Sequence, residues 1–514
     1  MHHLPTPGPC PGKKRVDFPA RAPTLDAFTP EQSHPPNTLP LGKHMSREKV
    51  PFLEKVSYGF GDFASVLYWQ TFMAYLLLFY TDVFGISAAT AGTMFLLSRL
   101  WDGINDPMIG VFADRTETRW GKFRPFILWF SLPFVIMGVL TFTTPEFSDT
   151  GKVVWAFVTF NLLMMLYTAV NIPYTALLGV ISSNPVDRTA VASIKFLFAY
   201  SAGTVISLFL LPVVKTLGQG NDARGWQLSF VVIGVVAMAC FMVTFFFTRE
   251  RVRPPKAQRP ALGADLKDLV TNKPWLILLA TTLTFILFVA TRSTATAHYF
   301  KYFVGTQVLS LPFLGTREVG YEWMVSVFNG VGQVSAIVGV LILTPFTKLV
   351  GKKSAFIIMF VVAVVSTAAF FVVKPEQVTL LFVLQVFGSI TGGPLSALIW
   401  SMYADTADYG EWKNGRRATG LVFSASTFGQ KVGWALGSAI AGWMLSGVGF
   451  VPNVEQSADV KHGLVLLVSL IPAALGIVSI VLVVFYPLNE QKVAEIGEAL
   501  KARRIAAGED DSSG

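Results

Sequence analysis

Twelve stretches of mostly apolar residues follow one another along this chain, each about 20 residues or longer and so able to cross a hydrocarbon layer about 30 Å thick. They fall at 55–82, 88–113, 124–146, 152–181, 189–216 and 226–248, then at 275–305, 321–346, 353–373, 377–403, 419–446 and 462–486. Several exceed 25 residues, which predicts tilt or extension beyond the bilayer. Composition agrees. Only 14% of residues are charged, against about 25% in soluble proteins, and the mean hydropathy is +0.53. The chain therefore reads as an all-α polytopic membrane protein with twelve transmembrane helices. A soluble enzyme, a disulfide scaffold and a nucleic-acid-binding domain are excluded. Cys10 and Cys240 cannot make a zinc site by themselves, and nothing suggests a disulfide framework.

Residues 1–44 differ from the rest. Ten of them are Pro, and such a segment cannot bury enough surface to offset its ordering entropy, so disorder is expected. Met45 opens MSREKVPFLEKVSYGF, which reads as the start of the membrane domain. The segments 45–55, 114–125, 182–189, 249–273, 347–353 and 411–417 and the tail after 487 together hold 25 Lys and Arg residues, whereas the alternate loops hold 7. By the positive-inside rule this predicts cytoplasmic termini and a multi-pass protein of the plasma (inner) membrane. The net charge of +9 is then topological and implies no nucleic-acid partner. The 249–273 loop splits the spans into six and six. The expected organisation is a 45–248 half, a 249–273 linker, a 274–487 half and a 488–514 tail, with a substrate site between the halves.

An ionised side chain at a helix centre costs about 2.5–3.5 kcal/mol on insertion scales, so each needs a partner, a wet cavity or a function. Here Asp62, Arg99, Asp102, Asp106, Lys195, Arg292 and Lys431 all fall inside spans, and His298 lies further along span seven. In span two, Asp102 and Asp106 differ by about 40° around the helix and stand one turn apart; Arg99 lies about 20° from Asp106, with Asn105 alongside. Two facing carboxylates repel, and Arg99, a proton or a metal cation must neutralise them. Carboxylates, an amide and a hydroxyl suit Na⁺, Li⁺ or H⁺ and lack the soft ligands of a transition metal. One base against two acids leaves negative charge over, which favours a cation; a permanent ion pair centred on Arg99 is the alternative. Span four offers Thr168, Asn171 and Pro173, whose missing N–H frees a carbonyl. Lys431 sits among Gly429, Gly433 and Gly437, which permit close helix approach and an interior-facing ammonium.

Five blocks carry a resemblance: YGFGDFASVLYWQTFMAYLLLFYTDVFGIS with LWDGINDPMIGVFADRTETRWGKFRP, YTAVNIPY, MYADTADYGEWKNGRRATG, FGQKVGWALG and GFVPNVEQ. The chain resembles the glycoside–pentoside–hexuronide:cation symporters of the major facilitator superfamily over about 45–490. That resemblance implies two pseudo-symmetric six-helix halves. It implies a cation site at Asp102, Asn105, Asp106 and Thr168, and a linking lysine at Lys431. Lys195 falls on the family's basic residue near the sugar. The cytoplasmic gating motif falls on Asp114, Arg115, Arg119, Gly121 and Lys122, and its counterpart after span ten on Asp405, Asp408, Tyr409, Glu411 and Arg416. Pairs of Asp114 with Arg119 and of Asp408 with Arg416 would close the cytoplasmic side. The galactoside contacts depart from the melibiose permease, falling on Val66, Asn171 and Thr175. A different sugar site is therefore expected from Gln70, Arg99, Asn171, Tyr174, Lys195, Trp400 and Lys431, with Tyr68 and Trp69 nearby. The expectation is a monomeric secondary transporter working in the bilayer, with no enzymatic activity and no cofactor, driven by Na⁺, Li⁺ or H⁺. Lysolipid or another amphiphile is the alternative cargo.

Overall fold

In the computed structural model of the chain, residues 49–182, 185–251, 267–311, 315–415 and 419–506 are described. The tail expected to be disordered, most of the linker and Arg416 lie outside them. Six helices precede the linker: α1 Phe52–Leu78, α2 Ala88–Arg115, α3 Arg124–Thr141, α4 Asp149–Ile181, α5 Pro185–Gly218 and α6 Asp222–Phe247. After it come α7 Lys273–Tyr299, α8 Tyr321–Val350, α9 Lys352–Ala368, α10 Val378–Gly392, α11 Leu395–Asn414, α12 Thr419–Gly447, α13 Ala458–Val468, α14 Leu470–Val484 and the polar α15 Glu490–Ala506. The tenth span is broken at Gly393–Pro394 into α10 and α11, and the twelfth at Ser469 into α13 and α14. Side chains cap several of the starts: Ser87, Ser148, Asn221, Asn272 and Ser457 each accept a backbone N–H from the first turn.

Ten of the described helical segments are long and apolar enough to cross a membrane. The two long helices outside that set are α2 and α12, which carry Arg99, Asp102 and Asp106 on one and Lys431 on the other. α2 carries three of the charges placed inside spans and α12 one, and those two helices pack against each other. Gly92 on α2 sits against Ala439 of α12, where an added Cβ would meet the Ala439 carbonyl oxygen at 3.0 Å. Gly429, Gly433 and Gly437 instead face α7, against Leu279, Ile286 and Ala290. Their smallness lets α12 wedge between α2 and α7.

The first helix on each side of the linker ends the same way. α1 runs into a π turn, Phe79–Phe84, closed by Gly85 at φ +85°; α7 runs into Phe300–Val304, closed by Gly305 at φ +67°. Left-handed backbone suits glycine, which has no Cβ to clash. A short hairpin, β1 Gln307–Leu311 with β2 Gly315–Val319, follows α7 at the end of the bundle away from the termini. No strand was expected from the sequence, since its residues lie in a loop between spans. The first-half core is aromatic: Tyr68 packs on Phe134 and Phe230, and Phe142 stacks on Phe230 at 3.6 Å between ring centres.

Candidate functional site

The charged stripe of α2 faces α1, α4 and α12. Arg99 donates through Nη1 to Asp102 Oδ2 at 2.9 Å, and both are buried. Its guanidinium lies 4.7 Å over the Trp69 ring of α1, so a cation–π contact offsets part of its desolvation. Trp69 in turn stacks on Tyr167 at 5.8 Å and meets Trp434 edge-on at 6.3 Å. One turn further along α2, Asp106 accepts from Thr168 Oγ1 of α4 at 3.0 Å and pairs through its other oxygen with the Lys431 ammonium of α12.

Charge along the stripe is therefore balanced, contrary to the arithmetic of one base against two acids. Arg99 pairs with Asp102 one turn along, whereas Asp106 lies two turns away, about 10 Å along the axis, and Lys431 supplies the second positive charge from 325 residues away. Two polar atoms remain unsatisfied in this buried space: Asp102 Oδ1 and Asn105 Nδ2. Pro107 within α2 lacks an N–H, which releases the Gly103 carbonyl, the acceptor one turn back. Asp106 and Lys431 each keep about a fifth of their side-chain surface exposed, whereas Arg99 and Asp102 keep 4% and 1%. The first pair can be reached and the second is enclosed.

Other expected site residues divide. Lys195 stands 3.6 Å from Asp62 and 5.6 Å over the Tyr174 ring. Gln70 donates to Ser207 at 3.4 Å. Asn171 Oδ1 accepts from Thr175 at 3.3 Å. Trp400 stacks on Phe423 at 5.7 Å, away from the α2 stripe in its contacts. Tyr174 is a correction: its ring stacks on Tyr58 at 4.6 Å, and each hydroxyl donates to the other residue's backbone carbonyl, at 2.8 and 3.0 Å. With no exposed surface and its hydroxyl spent, it cannot contact cargo. Tyr68, likewise fully buried, is a packing residue.

At the terminal end, Asp405 pairs with Lys352 at 2.8 Å, and Arg119 lies over Trp120. Gly121 adopts φ +110°, and a Cβ there would come 2.5 Å from the Glu250 carboxylate. That carboxylate accepts the backbone N–H groups of Lys122, Phe123 and Arg124 at 2.7–3.0 Å, capping α3 from just beyond the end of α6. Arg115 is exposed in the last turn of α2, and Asp408 lies partly buried near the end of α11. The Asp114 side chain and Arg416 lie outside the described residues, so the expected Asp114–Arg119 and Asp408–Arg416 pairs do too.

At the opposite end the sequence reading missed a cluster. Asp82, in the π turn of α1, accepts from Lys301 at 2.6 Å and from the Tyr302 hydroxyl, both in the π turn of α7. Asn453, beyond α12, donates to the Asp82 carbonyl at 2.7 Å and accepts from Lys301 at 2.7 Å. Lys215 of α5 pairs with Glu322 of α8 at 2.9 Å nearby. Asp82 is the last residue of the 55–82 span, where a carboxylate costs little, so the charge rule that noticed Asp62 passes over it.

Long helices on both sides of the linker, with polar side chains gathered where the two sets meet, define a membrane transporter of the major facilitator type. The chain belongs to the MFS/sugar transport protein family, which matches residues 57–490. It is 36% identical over 460 residues to the inner membrane symporter YicJ of Escherichia coli K12, covering 89% of this chain and 96% of that one. It is also 36% identical over 449 residues to the isoprimeverose transporter of Lactiplantibacillus pentosus, covering 86% and 90%. A solved bacterial homologue of the human drug peptide transporters PepT1 and PepT2 superposes with a TM-score of 0.59 over 88% of this chain and 99% of that one; at 12% identity this shows the fold alone. The family and these relatives are transporters, not enzymes.

Proposed function

We propose that the protein is a sugar:cation symporter of the inner membrane, with both termini in the cytoplasm and Na⁺, Li⁺ or H⁺ as its coupling ion. One observation carries the reading: Asp106 is shared between Thr168 of one helix and Lys431 of another that belongs to the opposite half. In the ion-free state the lysine serves as a built-in counter-charge. An entering cation would find hard oxygen ligands in Asp106, Thr168, the open oxygen of Asp102 and the freed Gly103 carbonyl. It would displace the ammonium rather than neutralise a bare charge, so the exchange costs little Coulomb energy. A proton on Asp106 would break the same pair.

Lys431, once released, is a donor with three N–H bonds and no acceptor, able to take a sugar hydroxyl. Cation and sugar then favour the same arrangement, and by linkage each tightens the other by the same factor, about 5–150-fold for a coupling of about 1–3 kcal/mol. Gln70, Asn171 and Lys195 supply further polar contacts, and the Trp69–Trp434 pair supplies an aromatic wall. The relatives' names point to a glycoside as the cargo. The Arg119–Lys122 turn and the Asp405 and Asp408 carboxylates at the terminal end would form the cytoplasmic gate.

Uptake of radiolabelled glycosides into proteoliposomes, with and without a Na⁺ or pH gradient, tests this. Asp102→Asn and Asp106→Asn are each expected to lower concentrative uptake more than tenfold, about 1.4 kcal/mol of coupling. Sugar accumulated against its gradient by either variant at the wild-type level refutes the coupling site.

A further inference from the structure

His298, in the last turn of α7, is a titratable side chain that the α2 stripe does not use, and it lies where the two halves meet. It has no exposed surface. Its Nε2 stands 3.0 Å from the Thr81 hydroxyl in the π turn of α1 and 3.6 Å from Asp82 Oδ2. The Thr81 hydroxyl has one proton, which points to Asp82 Oδ2 or to the Leu77 carbonyl, since a bare oxygen set against a carboxylate would be repelled. The hydroxyl therefore accepts from His298, and the imidazole is in its Nε2–H form. Nδ1 is left bare, enclosed and without a partner among the described residues. Few groups face the ring. α1 contributes Asp82, and the π turn of α7 contributes Lys301 and Tyr302, both already bonded to Asp82. The segment after α12 contributes Phe450, edge-on at 5.4 Å. The Thr294 carbonyl, one turn back, already takes the helical N–H of His298.

Histidine is the one side chain whose ordinary pKa, about 6.5, puts its charge change near neutral pH. A proton on Nδ1 would add a second cation to a place that holds one carboxylate, with Lys301 already 2.6 Å from it and no water to share the excess. Parting of the halves at this end takes Thr81 and Asp82 away from α7 and opens the ring to water, where the proton binds at its ordinary strength. We propose that His298 is a proton site separate from the Asp106 pair, and that it takes its proton when the two halves part at the end away from the termini. By linkage the proton then favours the parted arrangement. The proton comes from water to Nδ1 and returns to water on reclosure, so no other reactant is needed. On the topology of the symporter reading, on which this step rests, that end faces outside the cell. An acidic exterior would then open the protein toward the side from which cargo enters.

The full chain in nanodiscs, free of sugar, tests the site through a buried thiol. Ser326 of α8 is fully buried and its hydroxyl has no partner. Asn329, one turn on, reaches across to the Tyr75 hydroxyl of α1 at 3.2 Å, so a thiol introduced by Ser326→Cys is covered while the halves meet there. With Cys10 and Cys240 replaced by alanine, its labelling by a charged methanethiosulfonate reads the parted fraction, at reagent concentrations low enough that the rate stays proportional to them. Dividing by the rate of the His298→Gln variant at the same pH cancels the thiol's own pH dependence. Glutamine keeps an N–H for Thr81 and takes no proton. The ratio is expected to be about one at pH 7.5 and about ten at pH 5.5, the factor set by one proton at a group of ordinary value. His462→Gln, at the exposed histidine of α13, is expected to leave that rise unchanged. His298→Asn stands in if the glutamine variant fails to fold, with thermal unfolding recorded for each. No labelling at either pH, a ratio within about twofold of one at both, a ratio that falls on acidification, or a rise abolished by His462→Gln overturns the site. The uptake assay reports separately on the symporter reading, which survives each of these results.

Discussion

The two ends of the bundle use their charges differently. At the end away from the termini, Asp82 joins α1 to α7 and Lys215 joins α5 to α8, so these ionic contacts run between the two sets of six helices. At the terminal end the described pairs stay inside one set: Glu54 with Arg251, Lys55 with Asp187, and Lys352 with Asp405. A rocking transporter must break the first kind in each cycle and has no reason to break the second. The first kind therefore acts as a latch on one conformation, and the second as a brace that keeps each half rigid while it moves. The conformation described here has the latch closed.

The position of the latch suggests its origin. Asp82 and Tyr302 each stand three residues before the glycine that closes their π turn, and they bond to each other. The latch is thus built from equivalent places in the two halves, as an interface between related repeats would be.

Asp82→Asn is the variant expected to have the largest effect. Removing the charge leaves Lys301 in a mostly buried site without its counter-ion, which costs about 3 kcal/mol and falls entirely on the latched state. Spin labels on the exposed residues Glu146 and Glu376, one on each half at the latched end, are expected to move from a single short distance to a mixture with a longer one. An unchanged distance distribution would mean that the helix crossings, and not Asp82, hold this end shut.

Glu250→Ala attacks a brace. Three backbone N–H groups lose a charged acceptor, and at about 1.5 kcal/mol or more for a bond to a charged group the variant is expected to unfold several degrees lower. The Glu146–Glu376 distance is expected to stay where it was, because Glu250 bonds only within the first half. A shift in that distance would erase the division between latch and brace. The tightness of the site also explains Gly121: the carboxylate fills the place where a side chain would be.

Much of this was legible in the sequence, and the physical limit of reading it is clear. The charge rule for membranes singled out Asp102, Asp106, Arg99 and Lys431, because the cost of burying a charge is written in residue identity. Which base serves which acid was not legible, since Lys431 reaches Asp106 only after α12 has been placed beside α2. Tyr174 misled for the same reason: a polar aromatic beside Asn171 looks available until Tyr58, far away in the chain, covers it. Beyond the 377–403 span α11 continues into Asp405, Asp408 and Glu411, a helical extension past the apolar run that is held by partners such as Lys352. Asp82 was hidden at a span edge, where a carboxylate costs little and so draws no attention.

The smallest expected effect concerns Asp187, in the first turn of α5 before its apolar stretch begins. Lys55 at 2.8 Å and the Val50 N–H at 3.3 Å hold its carboxyl below the usual carboxylate range. A folded-state value lower than the unfolded one, about 3.9, stabilises the fold fully above that unfolded value and ceases to do so as pH falls through the folded value. The pair lies near the surface, where such bridges contribute about 1 kcal/mol or less. Asp187→Asn is therefore expected to melt slightly below the wild type at pH 7, with the gap closing as the pH drops below about 4. The latch-end distance is expected to be unchanged throughout. A gap that widened on acidification would place the stabilising form of Asp187 on the protonated side and overturn its assignment as an ionised brace.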